Sequence, residues 1–71
     1  MRHARDTHMP VVTVEMYEGR STEQKQALVE RITDAMVEEA DASPEHLHVI
    51  IHDVPEESWG RDGDLGIYRE G

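Results

Sequence analysis

Two segments of strand-like alternation flank a single run of helical periodicity, and this order leaves few folds open to the chain. Val11 to Tyr17 alternates and is rich in β-branched residues. Val12, Val14 and Met16 share one face; Val11, Thr13, Glu15 and Tyr17 share the other. His46 to Val54 alternates again, with Leu47, Val49 and Ile51 on one face and His46, His48, Ile50 and His52 on the other. Pro10 opens the first strand, where a missing N–H is tolerated, and Pro55 ends the second.

The segment between them has a clear start and stop. Ser21-Thr22-Glu23-Gln24 reads as a capping box, in which the Ser21 hydroxyl takes the N–H of Gln24 and the Gln24 side chain reaches back. Glu23 puts a carboxylate near the positive helix end. Ala27, Leu28, Ile32, Ala35, Met36 and Ala40 then recur at three- and four-residue spacing, while Glu30, Asp34, Glu38 and Glu39 fall on the polar side. Asp41-Ala42-Ser43-Pro44 ends the run. Met16 and Met36 read as core filling.

Two strands joined by a helix of this length form a β-α-β unit, with parallel strands and a right-handed crossover. Beyond Trp59-Gly60, the glycines Gly63 and Gly66 followed by Ile67 and Tyr68 suggest a turn and a short hairpin arm. The fold class is thus α/β (α+β): two parallel strands, one long helix and a short C-terminal hairpin arm. A two-stranded sheet is too small to stand alone, and its first strand offers apolar residues to both sides. With 71 residues and no cysteine, neither a large core nor a disulfide framework is available. The sheet is therefore expected to be completed by oligomerisation.

Sixteen Asp and Glu stand against seven Lys and Arg, with Lys25 the only lysine. Nucleic acid and anionic membranes both require clustered positive charge, so neither is expected as a partner. Scarce lysine and abundant carboxylates fit a protein of a salt-rich cytoplasm, where self-repulsion is screened. No apolar run is long enough to span a bilayer, and a cytoplasmic protein is expected. Residues 1–8 show no apolar period and no turn signal, and are expected to form a disordered extension, either a leader or the product of a misplaced start. The domain proper is expected to run over residues 9–71.

Six residues invite a chemical reading. Arg20, between Gly19 and the capping serine, is equally an exposed turn arginine or an anion clamp. Trp59 is the sole tryptophan; it suits interface packing, an apolar pocket wall, or both. His46, His48 and His52 share a strand face, but no carboxylate or cysteine spacing matches a metal site, so they read as surface or interface histidines and no metal is assigned. Pro10 has two readings. Preceded by Met9 it is an ordinary strand-opening amide; as a free terminus it is a secondary amine. Starting from an α-amino value near about 8, its pKa is then lowered by an apolar site and a neighbouring arginine. A base poised near neutrality suits proton transfer beside a carbonyl.

Several of these elements combine into one pattern. Pro10-Val11-Val12-Thr13-Val14, Glu18-Gly19-Arg20-Ser21, Glu23-Gln24-Lys25 and the run from Val49 to Gly60 resemble the 4-oxalocrotonate tautomerase family, over Met9 to about Gly63. The resemblance implies a tautomerase-like β-α-β protomer, paired into dimers and assembled as a homohexamer. It implies that Pro10, at the amino terminus, is general base and then acid in a keto-enol isomerase acting on a small unsaturated 2-hydroxy or 2-keto acid. Arg20 then binds the distal carboxylate, Trp59 walls the pocket, and no cofactor is used. His48 falls where the best-known members have a second arginine; histidine donates a hydrogen bond but offers no bidentate fork. Arg61, close by in sequence, is a candidate substitute. Two other readings share the fold: an inactive oligomer binding a small acid, with Pro10 an internal amide, and a hydrolytic dehalogenase, for which no residue is placed to activate water.

Overall fold

The computed structural model describes residues 9–68. Its elements run β1 (Val11–Tyr17), α1 (Thr22–Ala40), β2 (His48–Val54), a 3-10 turn (Glu56–Ser58), β3 (Gly60–Arg61), β4 (Asp64–Leu65) and a second 3-10 turn (Gly66–Tyr68). β1 and β2 pair in parallel with Val11 opposite His48 and Tyr17 opposite Val54. The β-α-β unit and its C-terminal hairpin are those expected from the sequence. The expected extension over residues 1–8, and the last three residues of the domain, lie outside the described residues.

The helix begins as its sequence dictates. Gln24 N–H donates to Ser21 Oγ at 3.1 Å, and Ser21 N–H donates to Gln24 Oε1 at 2.9 Å. Asp41 closes it in the left-handed region at φ 57°. The face turned to the sheet differs from the expected one. Leu28, Val29, Ile32, Thr33, Met36 and Val37 are half-buried, whereas Ala27, Ala35 and Ala40 are exposed. The larger β-branched residues fill the space over the sheet, and the alanines drift to the flank of the stripe. Lys25 Nζ lies 2.6 Å from Asp53 Oδ2, tying the first turns of α1 to the end of β2.

The second strand starts at His48, two residues later than the alternation suggests. Ser43 and Pro44 form the opening of a turn, as a serine before a position-fixing proline favours. His46 and Leu47 donate their N–H groups to the Ser43 carbonyl, at 2.9 and 3.0 Å. His46 is therefore outside the strand and does not share the face of His48 and His52.

The sheet has two unlike sides. Val12, Val14, Met16, Val49 and Ile51 are half-buried on the side covered by α1. Val11, Thr13, Glu15, His48, Ile50 and His52 are exposed on the other. His52 Nδ1 and Glu15 Oε2 meet across that open side at 2.8 Å. Val11 is 54% and Ile50 43% exposed, and no hydrophobic residue among the described residues is fully buried. One layer of helix over two strands cannot exclude water from both faces. No helix of the described residues is long and apolar enough to cross a membrane.

The arm after β2 folds back on the sheet. β3 and β4 pair antiparallel, Arg61 opposite Asp64, around Asp62 (φ 56°) and Gly63 (φ 88°), the two positive angles of a type I′ hairpin turn.

Candidate functional site

Where β1 ends and the arm returns, the chain forms a half-open cavity of about 480 Å³ lined by Met16, Tyr17, Arg20, Glu56, Trp59, Arg61 and Gly66. Pro55 stops β2, and the 3-10 turn that follows reverses the chain. Ser58 N–H donates to the Pro55 carbonyl at 2.9 Å, and Trp59 N–H to the Glu56 carbonyl at 3.3 Å. This reversal lays Trp59 edge-on against Tyr17, ring centroids 4.9 Å apart and planes at 66°. Gly66 N–H donates to the Trp59 carbonyl at 2.7 Å, which pins the hairpin over the pocket.

Gly66 is the one fully buried residue among those described. A Cβ there would meet the Tyr17 hydroxyl at 2.7 Å and the Glu56 carbonyl oxygen at 3.1 Å. Only glycine lets the arm come this close. At the other wall, Gly19 holds φ 126° and turns the chain out of β1. Arg20 then lies back over the strand end, its Nη1 donating to the Tyr17 carbonyl at 3.2 Å. One guanidinium hydrogen bond leaves further donors of the fork available to a ligand.

The pocket's charge is a balance of three groups: the guanidinium groups of Arg20 and Arg61 and the carboxylate of Glu56. The aromatic pair supplies an apolar wall beside them. Such a pocket, part apolar and part cationic, suits a small acid with an apolar body.

Arg20 and Trp59, both singled out from the sequence, thus line one cavity. Pro10 and His48 lie elsewhere. They sit together at the opposite end of the strands, where the His48 N–H donates to the Pro10 carbonyl at 3.0 Å. Seven strand residues separate Pro10 from the exit of β1, a span of roughly 20 Å at the usual strand rise. An arginine side chain cannot cross that span. Within one chain the four residues therefore form two half-sites, one at each end of the sheet.

The sequence placed Tyr17 on the strand face of Val11, Thr13 and Glu15 and singled out neither Tyr17 nor Glu56 as a pocket residue. Tyr17 is half-buried because Trp59 and Gly66 cover it. The available signal was the spacing of glycines behind Trp59, which marks a chain that must return close to its own backbone.

Comparison with known proteins agrees with this architecture. A family model described as tautomerase enzyme matches residues 10–66. A probable tautomerase of Halalkalibacterium halodurans is 49% identical over 55 residues, spanning 78% of this chain and 90% of the relative. A 2-hydroxymuconate tautomerase of Comamonas testosteroni is likewise 49% identical over 55 residues, spanning 78% of this chain and 87% of the relative. Among solved structures, a 4-oxalocrotonate tautomerase isozyme of Methylibium petroleiphilum superposes with TM-score 0.76 at 42% identity, over 84% of this chain and all of that one. A heterohexamer 4-oxalocrotonate tautomerase from Chloroflexus aurantiacus superposes with TM-score 0.79 at 31% identity, over 87% of this chain and all of that one. The chain belongs to the tautomerase family.

Proposed function

We propose that this tautomerase interconverts the enol and keto forms of a small unsaturated 2-hydroxy acid through the nitrogen of Pro10. The observation that carries this reading is that the family match begins at residue 10. Removal of Met9 and what precedes it frees a secondary amine at the edge of the sheet. That amine takes the proton of the enol hydroxyl, the oxygen becomes a ketone as the conjugated double bonds shift, and the prolinium returns a proton to the carbon at the far end. Atoms and charge balance without a cofactor.

The site is assembled between protomers. Pro10 and His48 come from one chain, Arg20 and Trp59 from another, because the two pairs lie at opposite ends of β1. His48 donates a hydrogen bond to the substrate's 2-oxygen, Arg20 binds the distal carboxylate, and Trp59 excludes water from the conjugated carbons. The exposed side carrying Val11 and Ile50 supports self-association, and the Chloroflexus aurantiacus relative is a hexamer of mixed chains. We assign this chain a dimer-based homohexamer acting in the cytoplasm.

The test uses protein beginning at Pro10 and 2-hydroxymuconate, the acid for which the Comamonas testosteroni relative is named. Ketonisation is expected, with Pro10→Ala reducing kcat by about a hundredfold or more, the scale of a lost general base. Equal rates in the two proteins remove Pro10 from the mechanism.

A second reading follows from Met1–Met9, which stand before Pro10 in the sequence. With them attached the Pro10 nitrogen is an amide and the chain is an acid-binding oligomer without turnover. The intact mass of protein from its own cells separates the two: a mass beginning at Pro10 supports the enzyme, and a mass retaining the preceding residues supports the binder.

A further inference from the structure

Tyr17 carries a hydroxyl that the fold makes room for and then leaves unused. The residue is half-buried at the end of β1, whereas Tyr68, the other tyrosine of the chain, is 74% exposed. The Tyr17 ring packs edge-on to Trp59, and its backbone carbonyl accepts from the Arg20 guanidinium at 3.2 Å. Its hydroxyl lies 2.7 Å from where a side chain on Gly66 would begin. A glycine at that position is the condition for an oxygen to stand there.

Among the described residues this hydroxyl has no hydrogen-bond partner. The Glu56 carbonyl, which flanks the same spot, already accepts the Trp59 N–H at 3.3 Å. A tyrosine packed against other groups usually finds a partner for its O–H, and a polar group shielded without one is destabilising. A phenylalanine would build the same aromatic wall without that cost. Tyr17 and Gly66 both line the cavity beside Arg20, so the unpaired O–H stands at the wall of a space that admits a ligand.

The same residue also sets a distance. Arg20 is tethered at the backbone end of Tyr17, and the hydroxyl is at the far end of the ring. An acid anchored on the guanidinium and lying along the aromatic wall brings the middle of its chain to the hydroxyl.

We infer that Tyr17 is a specificity-determining residue whose hydroxyl donates a hydrogen bond to an oxygen on the chain of the bound acid, one tyrosine length from the carboxylate on Arg20. The ligand class is a short acid with a keto or hydroxyl oxygen on its middle carbons, and bare hydrocarbon acids of equal length bind less well. This oxygen is distinct from the 2-oxygen given to His48, which belongs to the other half-site. Binding of such an acid stands on the pocket alone; its use in choosing a substrate rests on the tautomerase reading above.

The test follows the fluorescence of Trp59, the single tryptophan, which reports from beside Tyr17. The full chain is titrated with 4-oxopentanoate and with pentanoate. The keto acid is expected to bind about fivefold more tightly, the scale of one net hydrogen bond. Tyr17→Phe keeps the ring and removes the oxygen. It should bring the two acids to within about twofold of each other, weakening the keto acid and leaving pentanoate unchanged. Arg20→Ala should weaken both acids alike, as loss of a shared anchor requires.

Equal weakening of both acids by Tyr17→Phe would assign the residue a purely structural role and overturn the inference. A preference that survives the substitution, or none in the unsubstituted protein, overturns it too. Turnover of 2-hydroxymuconate by protein beginning at Pro10 decides the enzyme separately. Turnover without a Tyr17-dependent preference refutes the role of Tyr17 alone, and the preference without turnover upholds that role and refutes the tautomerase reading.

Discussion

The indole of Trp59 stands edge-on to the phenol ring of Tyr17, with centroids 4.9 Å apart and planes at 66°. This contact joins the returning arm to the exit of β1, and it forms one wall of the pocket that holds Arg20. Edge-to-face aromatic pairs contribute about 0.5–1.5 kcal/mol beyond the area they bury. A double-mutant cycle of Tyr17→Leu and Trp59→Leu, followed by urea unfolding, should give a coupling of about 1 kcal/mol. Strict additivity of the two substitutions would mean that the rings touch without stabilising one another.

Gly66→Ala should loosen the same arm. The new methyl meets the Tyr17 hydroxyl at 2.7 Å and the Glu56 carbonyl at 3.1 Å, and the second of these is backbone that cannot swing aside. The expected cost is about 1–3 kcal/mol, the range for overpacking at a close contact. The near-ultraviolet circular dichroism of Trp59 should fall with it, while the helical signal of α1 remains.

Ile50 is 43% exposed on the side of the sheet away from α1, beside Val11 at 54%. A charge placed there stays in water in an isolated chain but is buried in an assembly that uses this face. Ile50→Asp should therefore dissociate the proposed oligomer in sedimentation velocity and broaden thermal unfolding, since the described residues of one chain contain no fully buried hydrophobic side chain. An unchanged sedimentation coefficient would exclude this face from the interface.

Salt should stabilise the protein. With sixteen acidic and seven basic side chains, compact states carry self-repulsion that ions screen over about 10 Å at 0.1 M and about 3 Å at 1 M. Tm is expected to rise between those two concentrations of potassium chloride. A flat or falling Tm would mean that local ion pairs such as Lys25 with Asp53 outweigh the general repulsion.

What could be read from the sequence was local. The capping box at Ser21 and Gln24 and the alternation of Val11–Tyr17 are decided by near neighbours, and the structure contains both. Arg20 and Trp59, each singled out from the sequence on its own, line one cavity. What escaped was set by long-range return of the chain. The start of β2 moved to His48 because the Ser43-Pro44 turn took up His46, and the sheet-facing stripe of α1 took Val29, Thr33 and Val37 in place of three alanines. Tyr17 became a pocket residue only because Gly66 lets the arm approach it. The strand Val11–Tyr17, legible in the alternation, already sets Pro10 and Arg20, ten positions apart, at opposite ends of a rigid strand.

In the proposed site shared between protomers, that rigidity makes the two halves heritable as separate defects. A chain damaged at Pro10 still presents an intact Arg20 end, and a chain damaged at Arg20 still presents an intact Pro10 end. Mixed in one assembly, Pro10→Ala and Arg20→Ala chains should complement each other. Under the proposed shared site, random pairing would restore about one site in four, while each protein alone should keep only its reduced rate.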